Sequence, residues 1–116
     1  MHEMALVRNL VDATMQHAND AQANRVEAVN LAIGYGRDIQ DALFYELFEH
    51  LSKGTIVEGA ELNVRRIPIM SRYGDCGQIY HVDYHNECTW RCHRCGSRDY
   101  VPHSGMEFRI ESIEVA

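Results

Sequence analysis

Arg25-Val26-Glu27-Ala28-Val29-Asn30-Leu31-Ala32-Ile33 decides the architecture of this 116-residue chain. Val29, Leu31 and Ile33 fall on one parity and Val26, Ala28 and Ala32 on the other, so the stretch reads as a strand covered at least partly on both faces. Upstream, Val7, Val11, Thr14, Ala18 and Ala21, flanked by Leu6, Leu10 and Ala13, recur at helical spacing and predict an amphipathic helix from Met4 to Ala21.

Downstream, Gly34-Tyr35-Gly36 breaks the strand. Asp38 then stands as an N-cap, with Asp41 three residues on, close to the capping-box arrangement. The second helix that follows carries the stripe Leu43, Phe44, Leu47, Phe48 and Leu51, expected to form most of the core, and Lys53-Gly54 stops it. Leu62 and Val64 alternate with Glu61, Asn63 and Arg65, a second strand that Pro68 ends or pushes to an edge. Met106, Phe108 and Ile110 alternate with Glu107, Arg109 and Glu111, a third strand continued by Ile113 and Val115 after a change of parity.

The fold class is therefore α/β (α+β): a small three-stranded sheet with two helices, plus an inserted zinc-ribbon-like module. The insertion runs from Ser71 to His103, too long for an ordinary loop and with little apolar pattern of its own, so something other than a hydrophobic core must order it. Residues 1–70 and 104–116 make the α/β domain, and residues 71–103 the inserted module.

The size allows one modest core, and any appended module needs a staple. The formal charge of −6 falls to about −8 if four thiolates hold one divalent zinc, which disfavours a nucleic-acid binder relying on phosphate neutralisation. A protein or a cation is the better partner, and no nucleic acid is expected. No apolar run approaches a membrane span and the start lacks a secretory signal, so no membrane is expected and the localisation is read as cytoplasmic.

All four cysteines, Cys76, Cys88, Cys92 and Cys95, lie in the insertion. In a reducing compartment such clustering points to metal rather than disulfides. Cys92-His93-Arg94-Cys95-Gly96 has the form of a zinc knuckle, whose turn lets backbone N–H groups reach the sulfurs while the glycine tolerates positive φ. Cys76-Gly77 looks like the second half of another knuckle, but the expected first cysteine position holds Tyr73. Cys88 is the obvious fourth thiolate, and His81, His85 and His93 compete with it. A closed four-thiolate zinc site is structural rather than catalytic. Cys88-x3-Cys92-x2-Cys95 also has the spacing of a radical-enzyme iron–sulfur site, which needs a far larger barrel than this chain can make.

Met1-His2-Glu3 is the second metal signature. Met1 is expected to be retained because His2 is not small. The α-amine, the deprotonated His2 amide and the His2 imidazole close fused chelate rings around one ion, and planar nitrogen ligation suits Ni(II) or Cu(II). Glu3 adds a backbone nitrogen or a nearby carboxylate. His17, following Leu6, Leu10 and Ala13, reads as a helix-edge residue rather than a ligand.

Met1-His2-Glu3-Met4, Arg25-Val26 through Val29-x-Leu31-x-Ile33-Gly34, Gly54-Thr55 with Glu58-Gly59-Ala60 before a strand, the cysteine module and the ending Ile110-Glu111-Ser112-Ile113-Glu114-Val115 together resemble the HypA family of nickel metallochaperones over essentially the full length. The resemblance implies a non-enzymatic protein serving [NiFe]-hydrogenase maturation, with Ni(II) as transferred cargo and Zn(II) as a structural cofactor. It places nickel at Met1, His2 and Glu3, with the His2 imidazole as principal side-chain ligand, and zinc at the cysteine module, where Cys76, Cys92 and Cys95 match the family's knuckles and Cys88 stands in for the missing fourth thiolate. Expected partners are the GTPase HypB and the hydrogenase large subunit, and some members also serve urease maturation. The chain departs from the family's two Cys-x2-Cys knuckles at Tyr73 and in a slightly long gap from Cys76 to Cys92. After Gly34, where some members place a carboxylate near nickel, Asp38 and Asp41 stand as either helix caps or ligands. The alternative from another class is a zinc-ribbon adaptor that mediates protein interactions without nickel. An enzyme is disfavoured by the closed thiolate site and the absence of a nucleophile–base pairing.

Overall fold

A computed structural model describes residues 3–73, 77–82, 87–92, 94–96, 98 and 100–116. In chain order the elements are α1 (Glu3–Asp20), β1 (Val26–Gly34), α2 (Asp41–Ser52), β2 (Glu61–Ile67), β3 (Met70–Tyr73), β4 (Ile79–His81), a short 3₁₀ turn (Glu87–Trp90), β5 (Tyr100–Ser104) and β6 (Phe108–Val115). The chain divides into two compact units: Met1–Ala32 with Asp38–Arg65 and Arg109–Ala116, and Ile33–Arg37 with Arg66–Phe108. Among the described residues no helix is long and apolar enough to cross a membrane.

In the first unit β1 is the middle strand of the order β2-β1-β6. The Val26 N–H donates to Ile56 O (2.9 Å) and Asn63 Nδ2 to Asn30 Oδ1 (3.0 Å), so β1 and β2 ascend together, joined by α2 as crossover helix. The reciprocal backbone pair Arg25–Ala116 and the Asn30 Nδ2 bond to Ser112 Oγ (2.9 Å) run in opposite order, which makes β6 antiparallel to β1. Val26, Ala28, Val29, Leu31 and Ala32 are all buried, as the double-sided apolar pattern requires. α1 buries Val7, Leu10, Val11, Thr14 and Ala18, and packs against α2. Thr14 satisfies its buried hydroxyl on Leu10 O, one turn back (2.8 Å).

Four local expectations need correction. Ala21 is exposed, because α1 ends at Asp20 and Gln22 turns the chain with φ 56°. Asp38 does not cap α2: the N-cap is Gln40, which makes no side-chain capping bond. α2 fully buries Phe44 and Phe48 but leaves Leu43 37% exposed, so β1 and α1 carry most of the core instead. Met106 lies outside the last strand, since Gly105, at φ 115°, turns the chain and donates its N–H to Glu107 Oε1 (2.7 Å) before β6 begins. β2 stops at Ile67, directly before Pro68, as expected.

The second unit holds a sheet the sequence pattern does not reveal, antiparallel and ordered β4-β3-β5. Arg72 pairs with Ile79 on one side and Val101 on the other, and this row is exposed. Ser71, on the opposite face, is buried.

Candidate metal centres

Glu3 opens α1 and is buried to 8% exposure. A carboxylate in the first turn is favoured by the partial positive charge of the helix N-terminus. The first amides of a helix have no carbonyl partner within it, so the Glu3 nitrogen can serve a metal without breaking a helical hydrogen bond. Met1 and His2 lie outside the described residues. Asp38 and Asp41 are both exposed, with Asp41 in the first turn of α2. His17 is exposed near the end of α1, in keeping with a helix-edge role.

The second unit holds Cys92 and Cys95. Cys92 is almost wholly buried, Cys95 is exposed, and neither forms a disulfide. The Arg94 N–H donates to Cys92 Sγ (3.4 Å), the Gly96 N–H closes the turn on Cys92 O (2.8 Å), and Gly96 has φ 73°. An N–H aimed at sulfur stabilises the thiolate form that a metal needs. Gly77, which follows Cys76, has nearly the same φ, 71°. Both post-cysteine glycines thus take the left-handed conformation of a knuckle turn, and this donor set and local geometry fit a thiolate-bound Zn(II). Cys88 sits in the 3₁₀ turn, four residues before Cys92. Cys76, His85 and His93 lie outside the described residues. His81 is exposed on β4, and Tyr73 ends β3 opposite Tyr100. Among the described residues no group of three or more His, Cys, Asp and Glu is assembled around one point.

A family model described as hydrogenase/urease nickel incorporation, metallochaperone, HypA matches residues 1–115. The chain belongs to the HypA family. It is similar to the hydrogenase maturation factor HypA of Caldanaerobacter subterraneus subsp. tengcongensis, 31% identical over 118 residues and covering 99% of each chain. It is also similar to that of Dehalococcoides mccartyi strain CBDB1, 35% identical over 116 residues, covering 99% of this chain and 94% of the relative. The solution structure of the Ni metallochaperone HypA from Helicobacter pylori superposes with a TM-score of 0.72 at 26% identity, covering 99% of this chain and 97% of that one. A second HypA solution structure gives 0.75 at 27% identity, covering 100% and 97%. Two helices with small three-stranded sheets are the mixed α/β architecture that the HypA structures share. As a HypA protein the chain is a metallochaperone of hydrogenase or urease nickel incorporation and not an enzyme.

Proposed function

We propose that this chain binds Ni(II) through Met1, His2 and Glu3 and delivers it during [NiFe]-hydrogenase maturation, handing it on with the GTPase HypB to the hydrogenase large subunit. The observation that carries the reading is the family match from the first residue onward, supported by a helix that opens at Glu3 with a buried carboxylate. The amine, the amides and the His2 imidazole supply a nitrogen plane suited to nickel. The helix N-terminus partly opposes a cation there, and the Glu3 carboxylate offsets that field. Such a balance suits cargo that must be given up again.

Cys76, Cys88, Cys92 and Cys95 hold Zn(II) in this reading, and zinc supplies folding energy to residues 71–103 rather than chemistry. The nickel function belongs to residues 1–70 and 104–116. The Arg94 N–H and the left-handed Gly96 shape the Cys92 side of the site, and Gly77, next to Cys76, takes the same conformation. Cytoplasmic residence accords with thiols kept reduced.

Elemental analysis and calorimetric titration of tag-free protein beside His2→Ala and Cys88→Ser test both assignments. One zinc and one titratable nickel are expected in the parent, nickel lost in His2→Ala with zinc retained, and zinc lost in Cys88→Ser. Normal nickel binding by His2→Ala sinks the nickel site, and zinc without specific nickel binding in the parent favours the adaptor reading.

A further inference from the structure

The first unit contains a groove that neither metal assignment uses. It lies beside the C-terminal half of α2 and the start of β2, with a volume of about 410 Å³, lined by Tyr45, Phe48, Glu49, Glu58, Ala60 and Leu62 among others. Phe48 and Leu62 form a buried apolar floor, and Ser52 beside them turns its hydroxyl back onto Glu49 O (3.2 Å). Tyr45 is 42% exposed, and Glu49 and Glu58 are exposed at the rim.

The rim is held by backbone rather than by chance. The Thr55 N–H donates to Ser52 O, Glu58 N–H to Thr55 O, Ala60 N–H to Val57 O, and Val57 N–H to Thr55 Oγ1 (3.0–3.1 Å), so the segment carrying Glu58 is a series of closed turns. A preorganised wall lowers the ordering cost of binding.

The charges at the rim are available. Among the described residues neither the Glu49 nor the Glu58 carboxylate forms an ion pair, although Glu49 and Lys53 are four apart on α2 and placed to make one. Lys53 is the C-cap of α2, where the helix carbonyls attract its charge. Two carboxylates against one ammonium leave the groove negative, in a unit with twelve acidic residues against five Lys and Arg. An exposed aromatic face and two carboxylates over an apolar floor is the chemistry that recognises a guanidinium: cation–π contact, charge-assisted hydrogen bonds and cover for the aliphatic stem. β2 lies at an end of its sheet, and an extended chain can lie along such an edge.

We propose that this groove is a docking site for an extended, arginine-bearing segment of a partner protein, the arginine seated between Glu49 and Glu58 against Tyr45. The site is independent of the nickel and zinc readings, and its test uses no added metal. The test titrates the zinc-replete full chain with the blocked pentapeptide of sequence Val-Arg-Val-Arg-Val, followed by amide NMR. Saturable shifts are expected at Tyr45, Glu49 and residues 58–62. The Glu49→Lys/Glu58→Lys double variant should weaken binding by about tenfold or more, Tyr45→Ala by about threefold, and 0.5 M salt should weaken it too. Unchanged amide positions for Leu31 and Phe44 in the variants verify that the fold is intact. Equal shifts with the glutamate-for-arginine peptide, equal affinity for the lysine-for-arginine peptide, or undiminished binding by the double variant would each overturn the assignment.

Discussion

At position 34 a side chain has nowhere to go. A Cβ placed on Gly34 would lie 1.9 Å from Gly105 O and 2.6 Å from the Met106 nitrogen, both backbone, and the Gly34 N–H already donates to Glu107 O (2.8 Å). Gly34→Ala must therefore push two backbones apart, and we expect a loss of about 3 kcal/mol or more in urea unfolding. Gly54→Ala is the control: its Cβ meets nothing within 4 Å, but φ is 78°, so only the left-handed penalty of about 1 kcal/mol applies. Equal losses in the two variants would refute the close-approach argument. A second residue-scale prediction concerns acid. Arg65 holds the Glu111 carboxylate in a two-point contact (2.7 and 3.0 Å), and chiefly through that hydrogen bonding the Glu111 pKa lies below its ordinary 4.5. A depressed carboxylate pKa contributes stability that is present above the unfolded value and is lost as pH falls through the folded one. The advantage of the parent over Glu111→Gln should be small, because the pair is exposed, and constant at neutral pH. It should shrink as pH drops below 4.5 and disappear once pH has passed through the lowered folded value; an advantage that grows on acidification would contradict the pairing.

At the scale of elements, α2 shows both what the sequence makes legible and what it hides. The stripe at Phe44 and Phe48 predicts the helix, and the helix is there. Its start is misplaced by two residues, because Asp38 has the right chemistry for a cap while the chain puts Gln40 at the position that needs one. Capping depends on local dihedrals that composition does not encode. Gln40 already has extended backbone angles (φ −83°, ψ 110°) and no capping bond, so Gln40→Ser or Gln40→Asp should stabilise the protein by about 0.5–1 kcal/mol, read as an increase in denaturation midpoint. A neutral or destabilising result for both substitutions would mean that Gln40 has a role the helix terminus does not explain. β1 is legible on both faces because every covered position is apolar, and β2 because Pro68 closes it. β3, β4 and β5 are not: their strands span three to five residues, carry Arg72, His81 and His103, and leave Ile79 and Val101 in solvent, so no alternation survives. The knuckle turn at Cys92 to Gly96 is legible for the opposite reason, since ligand spacing and a left-handed glycine are properties of the sequence itself.

For the whole molecule, the decisive asymmetry is in the two units' interiors. Val7, Leu10, Val11, Ala18, Val26, Ala28, Val29, Leu31, Ala32, Phe44, Phe48, Val57 and Leu62 are buried in the first unit. Among the described residues of the second, the buried apolar side chains are only Ile33, Ile67, Val82 and Cys92. A unit so poor in core cannot offset the conformational entropy of ordering its chain, at about 1–2 kcal/mol per residue, whereas structural zinc in small domains contributes about 10 kcal/mol or more. Stripping zinc with a strong chelator at neutral pH should therefore abolish amide-exchange protection in β3, β4 and β5, while the central residues of α1 and β1 keep theirs. Calorimetry should lose the transition of the second unit and keep that of the first. Because Glu3 belongs to the unit that stays folded, nickel titrated into the stripped protein should still bind, and His2→Ala should still abolish it. If the β3–β5 amides remain protected without zinc, the module has an apolar support of its own and the cysteines must be assigned another purpose. If instead both units unfold together, the core of the first unit is not self-sufficient, and the separation of a cargo site from a structural site fails with it.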